Sequence, residues 1–136
     1  MQASVLSFKV AVVFAIAGIS MGIGMAIMQN HAIMPAHAHL NLLGWVSLFL
    51  FGIYYRFNPT VDQSKLAMIQ VGVWSLGTIV LTVAVAALHS GYTQFDPLAA
   101  ISAIVLLLDM LLFAALVFHP TLVERLAQRQ CSHPAE

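Results

Sequence analysis

Four apolar runs, each near the roughly 20 residues a helix needs to cross the hydrocarbon of a bilayer, take up almost all of this 136-residue chain. Short stretches rich in polar residues, glycine and proline separate them. A waterless interior leaves only helices and closed barrels as spanning structures, and the alternation over about 10 residues that marks a barrel strand is missing from all four runs. The expected fold is therefore all-α: a single integral membrane domain over 1–136, with helices at about 5–28, 36–56, 66–89 and 97–119 running up-down-up-down, and a tail at 120–136. Composition agrees. With 61% hydrophobic and 7% charged residues and a mean hydropathy of +0.94, the chain is too apolar for a water-soluble domain of this length.

The first run is longer than the core of about 7–15 residues in a signal peptide, so it reads as a true span. Its Gly18, Ser20, Gly22 and Gly24 have the small-residue spacing that lets two membrane helices approach closely. The single Cys131 has no partner for an intrachain disulfide. Lys9, Arg56, Lys65, Arg125 and Arg129 fall on one side of the threading, whereas the loops at 29–35 and 90–96 carry no Lys or Arg. By the positive-inside rule both termini and the tail are cytoplasmic. The other two loops then face outward, on the periplasmic side of a bacterial inner membrane. The lipid bilayer is the expected surrounding, and a formal net charge of +0 provides no footprint for nucleic acid.

This threading places His31, His37, His39 and His89 at one external face. Imidazole is costly to bury in hydrocarbon, so histidines at the mouths of spans ask for a ligand. Residues two apart on a helix are rotated by roughly 200°, so His37 and His39 look out to two different sites. Asn41, four residues after His37, shares its face and can hydrogen-bond an imidazole. Met21, Met25 and Met28 recur at helical spacing nearby and lead on to His31 and Met34. Thioethers with imidazoles suit Cu(I), although methionine also fills irregular gaps in a core.

Asp109 lies roughly 18 Å along the fourth helix at about 1.5 Å per residue. An intramembrane carboxylate marks a functional site by default. The alternative is a protonated structural Asp bonded to Ser47 or Ser75 at similar depth. His119 reads as a cap on the last turn of the fourth helix, and His133 lies in the tail. Ser64 or Asp62 is expected to cap the third helix, and Asp96-Pro97 to open the fourth. Trp45 is expected in the core, with Tyr54, Tyr55 and Arg56 as an interfacial anchor.

The segment His39-Leu40-Asn41-Leu42-Leu43, followed by Trp45, Gly52, Tyr54, Tyr55 and Pro59, resembles the second helix of subunit I in the heme-copper oxidase superfamily, nearest to the nitric oxide reductase and cbb3-type branches. The resemblance covers about 25 residues, and it implies that His39 matches the axial ligand of the low-spin heme. The pair His37-Ala38-His39 also looks like the tenth helix of that subunit, where a His-x-His serves two hemes. Family subunits have twelve helices, with histidines on the second, sixth and tenth, and so divide into three units of four. This chain has one such unit and no separate set of copper ligands, a departure that argues against oxygen or nitric oxide reduction.

What the resemblance implies is a small heme b protein of electron transfer, or a gas-linked or heme-linked accessory factor, with a redox partner and at most an oxidoreductase role. A homotrimer supplies twelve helices, with His39 on one heme and His37 on another across subunit interfaces. His89 is the competing second ligand if the site closes within one protomer, and Asn41 fixes an imidazole. Two further readings stand beside it. One is a copper or zinc binding or transport protein that uses His31, His37, His39, His89 and the methionines; the other is a structural membrane subunit. No nucleophile, phosphate-binding loop or carboxylate pair supports a hydrolase or transferase.

Overall fold

The computed structural model describes residues 2–119; Arg125, Arg129, Cys131, His133 and the tail expected at 120–136 lie outside them. Among the described residues there is helix and no strand. Four helices are long and apolar enough to cross a membrane: α1 Ala3–Met28, α2 Met34–Phe57, α3 Lys65–His89 and α4 Asp96–Phe118. A single turn, Pro59–Asp62, joins α2 to α3, and a tight turn at Thr93–Phe95 leads into α4. Local signals explain these limits. Pro35 and Pro97 sit in the first turns of α2 and α4, where a missing N–H costs nothing. Ser64 Oγ accepts from the Ala67 N–H at 3.1 Å and caps α3. Gln29 ends α1 in the left-handed conformation, φ 50°, and Gly91 supplies φ +97° just after α3, the backbone state glycine adopts without steric cost.

Small residues set how the helices meet. Along the antiparallel α1–α2 seam, Phe8 covers Gly52, Phe14 covers Gly44, and Asn41 and His37 of α2 cover Gly18 and Gly22 of α1. A Cβ on Gly44 would come within 2.8 Å of the Phe14 ring. Leu106 of α4 fills the equivalent space over Gly77 of α3. Between α2 and α3, Trp74 Nε1 donates to the Leu43 carbonyl at 2.8 Å. Phe113 of α4 stacks on Phe51, Tyr54 and Tyr55 of α2, with ring centres 4.2, 5.4 and 5.9 Å away. Tyr54 also donates its hydroxyl to the Leu116 carbonyl at 2.9 Å. Each helix packs chiefly on its neighbours in sequence, and α1 and α4 stand at opposite ends of the row with little contact. Among the described residues the outer faces of α1 and α4 are therefore free of a helix partner.

The middle of α2 departs from expectation. Leu40–Ser47 is π-helical, a form with i→i+5 bonding that is usually brief and often found at functional sites. Ser47 Oγ donates to the Leu42 carbonyl five residues back, at 2.8 Å. The buried positions Ala36, Leu40, Gly44 and Leu48 step by four. In a regular helix each such step drifts about 40° around the axis; the wider turn takes the drift back and keeps the row on the packed face. Trp45, expected in the core, consequently points outward with 43% exposure, while Tyr55, expected at the interface, is fully buried.

Asp62 also acts elsewhere than expected. Ser64 caps α3, and the Asp62 carboxylate instead accepts from the Ser4 N–H and the Ser4 Oγ, both at 2.7 Å. It therefore caps α1 across the molecule, at the end where the helix dipole favours negative charge. One turn on, Ser7 Oγ donates to the Leu48 carbonyl at 2.6 Å and ties α1 to the end of the π segment.

Candidate functional site

His39 is the last residue before the π segment. Its Nδ1 lies 2.7 Å from the Pro35 carbonyl oxygen. A carbonyl can only accept, so Nδ1 is the donor in this contact, and in the neutral ring Nε2 is the nitrogen with the lone pair. An imidazole braced in this way has a fixed orientation and a more basic free nitrogen, the arrangement found in histidines that ligate metals. The ring is half-buried.

His89 repeats the pattern at the end of α3, with Nδ1 donating to the Val85 carbonyl at 3.0 Å. His37 is placed differently. Its ring lies over Gly22, with Cε1 3.1 Å from where a Cβ would stand. Asn41 Nδ2 donates to the His37 carbonyl at 2.9 Å and sits 3.3 and 3.4 Å from the two ring nitrogens. The two histidines of the His-Ala-His pair thus diverge, one onto the glycines of α1 and the other braced on its own helix. His31 is exposed in the α1–α2 loop.

The ends of α1 and α3 and the α1–α2 loop border a half-open cleft of about 370 Å3, lined by Met25, Met28, Asn30, Ile33, His89 and Ser90 among others. His31, His37 and His39 do not line it. Among the described residues, no three His, Cys, Asp or Glu side chains gather as one metal-binding group. His119 follows α4 as its C-cap, with its N–H on the Ala115 carbonyl.

Asp109 is buried in α4. Its Oδ2 accepts from Gln70 Nε2 at 3.0 Å, and Gln70 Oε1 accepts from the Tyr55 hydroxyl at 2.8 Å. This polar chain joins α2, α3 and α4. Ser47 and Ser75, expected beside Asp109, bond to carbonyls of their own helices. Depth alone does not say which way around its helix a side chain points, and that direction decides the partner. Gln70 was readable as a candidate, since it is the only carboxamide in α3. On the same helix Thr78 and Thr82 are buried, and their hydroxyls have no partner within the described chain. No family model matches the sequence, and comparison with curated proteins and with solved structures gives no match.

Proposed function

We propose that this chain is a small heme b-binding protein of the bacterial inner membrane, related to the core subunit of the heme-copper oxidases. Its work is electron transfer, or a gas-linked or heme-linked accessory role. The observation that carries the reading is the His39 imidazole, held at Nδ1 by the Pro35 carbonyl at 2.7 Å, which leaves Nε2 as the ligating nitrogen of the neutral ring. A neutral, oriented imidazole nitrogen is what an axial site on heme iron requires. The resemblance of the 39–59 segment to the family's second helix picks out the same residue. Heme bound there supplies a one-electron carrier within the membrane.

The chain's own residues divide the work. His39 provides the ligand, Pro35 sets its tautomer, and the π segment that follows fixes how the helix leaves the site. Asn41 holds His37 against α1, so a second heme on His37 requires that ring to leave Gly22. The outer faces of α1 and α4 are available to other copies, which favours a trimer whose three copies provide twelve helices, and a neighbouring protomer would then help His39 hold the heme. The helices run up-down-up-down with both termini cytoplasmic, as the Lys and Arg positions favour, and the histidines lie on the periplasmic side.

Purified protein should show a Soret band and sharp α and β bands on reduction, and should run as a trimer in detergent. His39→Ala should abolish the bands while His31→Ala retains them. An unchanged spectrum in the His39 variant would overturn the assignment.

A further inference from the structure

Beside the heme reading, and independent of it, the external end of the molecule carries a set of soft donors. Met25 and Met28 stand three residues apart near the end of α1 and so on one face of it. The left-handed turn at Gln29 and the Asn30 side chain, which accepts from the Ala32 N–H at 2.9 Å, fold the loop back over the end of α3. His89 shares with the two methionines the lining of the 370 Å3 cleft there. With Nδ1 committed to the Val85 carbonyl, Nε2 is the ring nitrogen that the neutral His89 offers to a ligand.

We propose that Met25, Met28 and His89 form a Cu(I) site. Two thioether sulfurs and one neutral imidazole nitrogen are soft, uncharged ligands, the set that selects Cu(I) over divalent ions that prefer oxygen donors. The other polar side chains of the lining are engaged locally, Asn30 with Ala32 and Ser90 with the Ala86 carbonyl at 2.8 Å. Among the described residues no carboxylate lines the cleft, so Zn(II) finds no anionic ligand among them. Met25 is 5% exposed and Met28 68%: one side chain belongs to the wall, and the other lies at the rim. Methionine is unbranched and flexible, and the site requires both sulfurs and the His89 nitrogen to turn toward one point in the cleft. None of the three residues is His39, Pro35 or Asn41, so heme and copper are read separately in the same sample.

The test is anaerobic titration of the full-length protein in detergent with Cu(I), against a chromogenic Cu(I) chelator, with Ag(I) and Zn(II) in parallel. The expected result is one Cu(I) or Ag(I) per chain and no stoichiometric Zn(II). Met25→Leu, Met28→Leu and His89→Gln should each weaken Cu(I) binding by about tenfold or more, since loss of even an outer partner of a ligand costs that much. His31→Gln and Met34→Leu should leave it unchanged. X-ray absorption of the wild-type copper complex should show sulfur as well as nitrogen neighbours, a readout that needs no variant to fold. Failure of the wild type to take up Cu(I), a first shell of nitrogen and oxygen alone, or loss of binding only in His31→Gln would overturn the proposal.

Discussion

Replacing Asp62 by Ala removes both acceptors that fasten the first turn of α1 to the turn between α2 and α3. The Ser4 N–H and Oγ each lie 2.7 Å from a carboxylate oxygen, and with Ser4 at 0% and Asp62 at 2% exposure water does not take over. A hydrogen bond to a charged group contributes about 1.5–3 kcal/mol, and a capping side chain about 0.5–2 kcal/mol. The two descriptions overlap, so the expected cost of Asp62→Ala is about 3–4 kcal/mol. Ser4→Ala keeps the backbone donor and loses only the hydroxyl, at about 1–2 kcal/mol. Asp62→Asn retains one acceptor for the Ser4 N–H and should fall between them. Because the residues share one interaction, the double Ala variant should cost clearly less than the sum of the two single ones. Unfolding by SDS titration in mixed micelles, followed by tryptophan fluorescence and far-UV circular dichroism, reads these differences. Additive losses, or a Ser4→Ala cost at or above that of Asp62→Ala, would refute the cross-molecule cap.

Further outcomes follow from the same contacts. Gly18→Ala drives a methyl into the Asn41 carboxamide and should cost about 1–3 kcal/mol, whereas Gly72→Ala, with nothing within 4 Å, should stabilise by about 0.5–1 kcal/mol; equal signs in the same unfolding assay would contradict the α1–α2 seam. Gln70→Leu strands both the Tyr55 hydroxyl and the Asp109 carboxyl, about 1–3 kcal/mol for each group, while Asp109→Asn keeps an acceptor for Gln70 and should lose far less. The reverse order would show that the Tyr55–Gln70–Asp109 chain is not continuous.

Much of the architecture was readable because each span announces itself by length and each start by a cap or a proline. Helix limits, Ser64 and the Gly18–Gly22 seam belong to this class. The π segment was not readable: in a run as apolar as 40–53, a row of buried residues stepping by four does not stand out from its apolar neighbours. Trp45 was misplaced for that reason. Asp62 reads locally as a cap for the helix that follows it, and only the packed molecule shows Ser4 waiting at the same level. At the candidate site, the divergence of His37 and His39 follows from helical rotation. The Pro35 brace on His39 and the Gly22 seat of His37 depend on tertiary placement, which spacing along the chain does not encode.

Most directly decisive is the heme content of His39→Gly, measured by pyridine hemochromogen assay with and without added imidazole. Heme held by His39 predicts near-zero occupancy in the variant and recovery of the low-spin spectrum when free imidazole refills the vacated position. Full occupancy without imidazole would contradict it, as would a wild-type protein that never carries heme.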